Sequence, residues 1–201
     1  MRFDTPLDDI FLNRSHIRVL RALHGLPIGF AASGRELARR AGVTHPTALK
    51  ALNSLVEVGI VNARRGIAGD LYEFEVGHAL AKPVMGLFEA EGEILLQLRS
   101  FLREKLLGFT DKINAATLFG SAARGDSQPG SDIDIAVSCA PEDRRNVEAA
   151  LENLADAVRE RFGNRLSPLI DCGKQKRRSI IRKRINEEGI PLIRHGKGVT
   201  E

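Results

Sequence analysis

The sequence predicts a two-domain chain of mixed α+β and α/β class, and three observations carry that reading. Residues 14–77 order as helix, helix, tight turn, helix and hairpin. Beyond Gly108, strand-like and helix-like segments alternate, the pattern of an α/β unit. Between them, residues 79–108 read as one mostly helical segment of mixed charge. The predicted organisation is therefore a first domain over 1–78, a helical connector over 79–108 and a second domain over 109–201. A length of 201 residues suits one large or two small domains, and 43% apolar residues are ample for packed cores.

The elements follow in order. "RSHIRVLRALHGL" aligns Ile17, Leu20 and Leu23 on one helical face. Ser33 is placed to cap "GRELARRAG", with Gly42 as its stop. "THPTALKALNSLVEVG" is the next helix, with Pro46 in its first turn, Gly59 at its end and Ala48, Leu52, Leu55 and Val56 as its apolar stripe. "IVNARR", the turn "GIAGD" and "LYEFEV" make a hairpin. In the connector, Pro83 and Gly86 are expected to break or bend the start. Ile94, Leu95, Leu98, Phe101, Leu102, Lys105 and Leu106 form an amphipathic stripe in its second half. "INAATLF", "DIDIAVSC" and "RLSPLIDC" are strands. A helix starting at Pro141 separates the last two. "KQKRRSIIRKRINEEG" is a last helix and "IPLIRHG" a terminal strand or tail.

Several classes are excluded. No apolar run approaches the roughly 18 residues that span a bilayer, and "MRFDTPLDDIF" carries acids where a secretory signal needs an apolar stretch. A cytoplasmic protein without a membrane partner is expected. Cys139 and Cys172 lack metal-ligand spacing and read as reduced, structural thiols. The net charge of +4 permits a polyanionic partner without demanding one. The densest basic cluster is "KQKRRSIIRKR", residues 174–184, with seven cations and no acid. Its Lys174, Lys176, Arg177 and Arg178 suit either a phosphate-rich ligand or a solvated helix face. The five histidines, His195 among them, show no ligand spacing.

"GRELARRAGVTHPTALKALNSLVEVGIVNARRGIAGDLYEFEV" resembles the winged helix-turn-helix of bacterial regulators, over residues 14–77. The resemblance implies a recognition helix starting at Thr44. It puts Thr44, His45, Thr47 and Lys50 towards DNA in the major groove. Arg64 and Arg65 stand where a wing reaches phosphate or minor groove. The same fold also serves as a protein-contact or dimerisation module, which leaves a homodimer open.

"LFGSAARGDSQPGSDIDIAV" resembles the nucleotidyltransferase signature of the DNA polymerase β superfamily, closest to its small prokaryotic members. The matching parts are Gly120-Ser121 after an apolar strand, a spacer, and Asp132-Ile133-Asp134; the likeness runs over 109–196. It implies a polymerase-β-like domain, a mixed sheet flanked by helices, that moves a nucleoside monophosphate from an NTP to a hydroxyl acceptor. The acceptor is a protein, an RNA or a small molecule. Physics gives each part a task. Residues i and i+2 of a strand point the same way, so Asp132 and Asp134 share a face while Ile133 and Ile135 face the core. Two carboxylates so close repel unless a divalent cation lies between them, and Mg²⁺ suits carboxylates plus phosphates. Two such ions are expected, one for the attacking oxygen and one for the leaving pyrophosphate. Gly120 lets backbone approach phosphate, Ser121 donates to it and Arg124 pairs with the triphosphate. Asp126 reads as a turn residue. The resemblance also implies a third carboxylate on a neighbouring strand, and Asp171 is the candidate, as metal ligand or as base. The alternatives are a transcriptional regulator whose weakly catalytic domain senses nucleotide, or a toxin–antitoxin component.

Overall fold

Side-chain caps start three helices of the N-terminal unit. The computed structural model describes residues 2–27, 29–67, 69–173, 185 and 187–194. It divides into two units, Met1–Gly92 and Glu93–Glu201. In the first, α1 (Pro6–Ile10) precedes α2 (Arg14–His24), whose cap Asn13 accepts from the N–H groups of Ser15 and His16. Helix α3 (Gly34–Ala41) is capped by Ser33, which accepts from the Glu36 N–H, and stops at Gly42. Helix α4 (His45–Val58) is capped by Thr44, which accepts from the Thr47 N–H, and stops at Gly59. Each such cap satisfies backbone donors that the helix itself leaves unpaired.

Strands β1 (Ala32–Ser33), β2 (Val61–Gly66) and β3 (Gly69–Phe74) form an antiparallel sheet in the order β1-β3-β2. Val19, Leu20, Leu37, Leu52, Leu55 and Ile60 are fully or almost fully buried at the centre of this unit. His16 is buried among them. Its Nδ1 is 3.0 Å from Asn13 Oδ1, so the Nδ1–H tautomer donates there, while Nε2 has no partner among the described residues. Burial holds its pKa below the usual histidine value.

The segment expected as a connector is helix α5 (Ala81–Leu107), and the two units divide within it, after Gly92. Pro83 and Gly86 do not break it. Pro83 falls in the first turn, where its missing N–H had no helical acceptor to meet. Val84 and Phe88 belong to the first core. Leu98, Phe101, Leu102 and Leu106 belong to the second, but Ile94, expected in the same stripe, is exposed.

The second unit is a mixed four-stranded sheet in the order β6-β5-β4-β7. Strand β4 (Ile113–Phe119) is antiparallel to both β5 (Ile133–Cys139) and β7 (Ile190–Arg194). Strand β6 (Leu166–Asp171) runs parallel to β5, which requires a crossover; helix α7 (Arg144–Phe162) supplies it. The helix starts three residues beyond Pro141, which lies in the preceding turn. Ile133, Ile135 and Val137 pack with Val147, Leu151 and Val158 of α7, so the alternate residues of β5 are left for the opposite face. Cys139 and Cys172 are free thiols with sulfurs 3.4 Å apart, and burial pushes the Cys139 thiol up to about 12. The basic cluster at 174–184 and His195 lie outside the described residues. No helix among the described residues is long and apolar enough to cross a membrane.

Candidate functional site

The second unit's polar face is built where β4 turns into the five-residue helix α6 (Gly120–Arg124). Phe119, the last residue of β4, pairs with Asp134 across the antiparallel ladder, so the turn at Gly120 falls beside that carboxylate. Gly120 has φ of +75°, and a Cβ added there would run into the Asp134 carboxylate. The position is therefore closed to other residues on two counts, backbone conformation and space. Ser127, in the loop after α6, donates its hydroxyl hydrogen to Ser121 Oγ at 3.3 Å, tying that loop back to the turn.

The alternation expected for the two acids is present. Ile133 and Ile135 are buried, Asp134 is half-buried on the other face, and Asp132 is exposed just before the strand. Burial raises the Asp134 pKa. A hydrogen bond from Ser167 opposes the rise, the nearby Asp132 charge adds to it, and the Arg124 charge opposes it. Arg124 is not free. Its Nε donates to Asp126 at 3.1 Å and its Nη1 to Glu188 at 3.2 Å. Asp126, expected only as a turn residue, is thus an ion-pair partner. All three groups are exposed, so these pairs exchange readily for a more strongly charged ligand. An open cleft of about 430 Å³ borders Asp132, with Leu95, Leu98 and Phe162 as apolar wall and Ser127, Ser131 and Asn164 as polar groups.

Asp171 is not brought to this cluster. In the parallel pair, Ile133 lies beside Leu166 and Asp134 beside Ser167, while Asp171 lies beside Ser138. Asp171 is four residues beyond Ser167, roughly 13 Å along the strand. There it accepts from the Gly173 N–H at 3.0 Å and shapes the turn that ends β6. The structure thus brings together Gly120, Ser121, Asp132 and Asp134, with Arg124 close by, and puts Ser167 instead of Asp171 beside Asp134. Ser167 and Glu188 escape a reading of the residue pattern because both act across the fold: Glu188 lies 64 positions from Arg124. The one signal for Ser167 is its place as second residue of a strand separated by one residue, Arg165, from the Gly163-Asn164 stop.

In the first unit, Thr44, His45, Thr47 and Lys50 line the exposed start of α4, and Arg64 and Arg65 are exposed on β2. Thr44 is engaged as the cap, with its hydroxyl 2.8 Å from that of Thr47. Arg64 approaches Glu73 at 4.0 Å, a loose surface pair.

The turn at Gly120 thus sets glycine backbone against the Asp134 carboxylate, with a second carboxylate, Asp132, two residues before it. Residues 103–196 match the family model described as "Polymerase beta, Nucleotidyltransferase". The matched residues lie within the second unit, and all the clustered residues fall within the match. A solved structure described as "Crystal structure of the toxin-antitoxin with AMP-PNP" is similar at 20% identity. It covers 48% of this chain and 73% of that one, with a TM-score of 0.37. A search of curated proteins finds no match.

Domains of this family work on nucleoside triphosphates with divalent metal, and the donor set here fits one such ion. Asp132 and Asp134 repel each other and Asp134 is partly desolvated, so a cation between them relieves both costs. Among the described residues, no group of three or more His, Cys, Asp or Glu is placed to hold a metal ion.

Proposed function

We propose that the nucleotidyltransferase-family domain binds a nucleoside triphosphate with Mg²⁺ and transfers its nucleoside monophosphate to a hydroxyl acceptor. The observation that supports this best is the close approach of the Gly120 turn to the Asp134 carboxylate, which sets the backbone at the start of α6 beside the two acids. A bound cation there supplies charge neutralisation for the triphosphate. The chain's own groups do the rest of the positioning. The Ser121 hydroxyl donates to a phosphate oxygen, held in place by Ser127. Arg124 leaves Asp126 and Glu188 for the triphosphate, a bidentate partner of higher charge. The cleft beside Asp132 takes the nucleoside or the acceptor on its apolar wall. The acceptor oxygen attacks the α-phosphorus, the bond to the β-phosphate oxygen breaks, pyrophosphate leaves and the hydroxyl proton passes to water. The test is incubation with Mg²⁺ and each α-labelled NTP, with and without cell extract. Label on a new molecule together with pyrophosphate release is the expected result. Their absence for all four NTPs overturns the reading.

A second reading, a regulator that senses nucleotide with little turnover, is favoured by Ser167 in the position beside Asp134. It expects Mg²⁺-dependent nucleotide binding without pyrophosphate release, and a nucleotide effect on DNA affinity. In both readings residues 14–77 act as a DNA-binding winged helix-turn-helix. The support is the order of its elements and the exposure of Thr44, His45, Thr47, Lys50, Arg64 and Arg65. Replacing Arg64 and Arg65 by alanine is expected to lower the slope of log K against log salt by about 2 on duplex DNA. Intact protein that binds neither its own promoter region nor generic duplex at low salt makes this unit a protein-contact module.

A further inference from the structure

The strand positions flanking Asp134 set how much negative charge the site offers a metal. On one side is Phe119, on the other Ser167. The Ser167 hydroxyl hydrogen-bonds the Asp134 carboxylate. The residue before β6 is Arg165, whose carbonyl accepts from the Ile133 N–H, so the approach to Asp132 from that strand also brings no acid. Arg124 adds a cation close enough to act on Asp134. The remaining acid of β6, Asp171, is at the far end of the strand. Residues 174–184 contain no Asp, Glu, His or Cys, so that segment brings no further anionic ligand either.

Two divalent cations within about 4 Å of each other repel strongly, and a two-metal site holds them only by surrounding them with anionic oxygens. Here two carboxylates and the nucleotide's phosphates are the anions. An ion shared by Asp132, Asp134 and phosphate uses both carboxylates at the start of β5; the acids next nearest, Asp126 and Glu188, are paired with Arg124. A second ion would have one neutral hydroxyl, Ser167, as its protein ligand of its own.

We infer that this site takes one divalent cation with the nucleoside triphosphate, not two, because Ser167 stands where a third carboxylate would have to be. The inference rests on the nucleotide-binding reading above. Its consequence is that nucleotide binding is retained while transfer is slow, since one of the two charge-stabilising ions of the reaction is missing. Replacing Ser167 by aspartate restores the missing charge beside Asp134 and creates the second position.

The test counts Mn²⁺ on the full chain by electron paramagnetic resonance titration, in the presence of the α,β-methylene analogues of ATP, GTP, CTP and UTP in turn. Wild type is expected to bind about one Mn²⁺ per chain with the preferred analogue, and Ser167→Ala the same number. Ser167→Asp is expected to bind about two and to gain a larger Mn²⁺-dependent rise in Tm, because the added carboxylate repels Asp134 until metal arrives. With the natural NTP, Ser167→Asp should release pyrophosphate at least about tenfold faster. Asp171→Asn is expected to leave the count at one; a count that falls to none makes Asp171 a ligand and overturns the inference. Wild type binding two Mn²⁺ of similar affinity overturns the inference and leaves the proposed function standing. So does a folded Ser167→Asp variant that stays at one. Wild type binding no Mn²⁺ with any analogue overturns both.

Discussion

The two units use polar side chains in opposite ways. In the N-terminal unit the helix caps and the Glu36 pairs are made between near neighbours, beside longer-range surface contacts of Arg18 with the Gly42 carbonyl and of Arg21 with Glu91. Asn13 serves Ser15 and His16, Ser33 serves Glu36, Thr44 serves Thr47, and Glu36 holds Arg39 and Arg40. The caps finish helix ends, and the Glu36 pairs brace one face of α3. In the C-terminal unit the contacts around the acids link distant parts of the chain. Gly120 meets Asp134, Asp134 meets Ser167, Arg124 meets Glu188 and Asn164 donates to the Ser131 carbonyl. Those groups gather around the start of β5, on the sheet face that α7 leaves uncovered. Local polar contacts stabilise, and each is replaceable at modest cost. Contacts assembled from several strands define a site, and losing one disturbs the others.

The sharpest break in that comparison is Gly120→Ala. The added methyl collides with the Asp134 carboxylate and forces an unfavourable backbone at φ +75°. The expected cost is about 1–3 kcal/mol. More telling, the Mg²⁺- and NTP-dependent rise in Tm should vanish. Asp134→Asn should abolish the same ligand-dependent rise but leave the metal-free protein as stable as before or more so, since it removes a like-charge contact. Differential scanning fluorimetry with and without Mg²⁺ and NTP separates the two. An Asp134→Asn variant that still gains full stabilisation removes Asp134 from the site.

The same division explains how much of the fold and the site the residue pattern discloses by itself. Caps and stops are short-range, so Ser33, Gly42, Thr44 and Gly59 mark α3 and α4 in place. The shared face of Asp132 and Asp134 is equally local, because i and i+2 settle it. Gly120-Ser121 is legible through its spacing to those acids. Asp171 is the instructive failure. An acid at the end of a neighbouring strand looks well placed, but which residue faces Asp134 depends on where β6 begins relative to β5. That offset is set by α7 and the turn at Gly163-Asn164, not by any pattern inside "RLSPLID". A shift of four residues separates Ser167 from Asp171. The Arg124 pair is hidden for the same reason: nothing near Arg124 in sequence reveals Glu188. Pro83 fails differently, since a helix-breaking residue is harmless when the helix starts just before it.

Thr44→Ala and Ser33→Ala probe the local half of the comparison. Each should destabilise the N-terminal unit by about 1 kcal/mol, the usual worth of a helix cap. Neither should alter the nucleotide-dependent rise in Tm. Chemical denaturation monitored by circular dichroism gives the first quantity and fluorimetry with NTP the second. A cap variant that also lost the nucleotide response would contradict the separation of roles.

The smallest effects concern pH, and there the two units differ in sign. In the N-terminal unit, burial holds the His16 pKa below its usual 6.5, so the folded state favours the neutral ring. Its contribution is complete above 6.5 and is lost as pH falls through the lowered folded value. Glu36 follows lower down. Arg39 and Arg40 hold its pKa at about 2 against a usual 4.5, so its contribution is complete above 4.5 and is lost as pH falls towards about 2. Because the Glu36 pairs are exposed, high salt should erase much of this second loss. Asp134 runs the other way. Burial raises its pKa above the usual 3.8, so its contribution is complete below 3.8 and is lost as pH rises through the raised value. Metal-free protein titrated in EDTA should show this last term as a loss of stability on raising pH above about 4. Asp134→Asn should remove it, and His16→Gln should flatten the acid side near pH 6 without touching it. Mg²⁺ with NTP should reverse the Asp134 term, because the cation rewards the ionised carboxylate that the bare site penalises. An Asp134→Asn variant with the wild-type pH profile in EDTA would show that the carboxylate is not under strain in the fold.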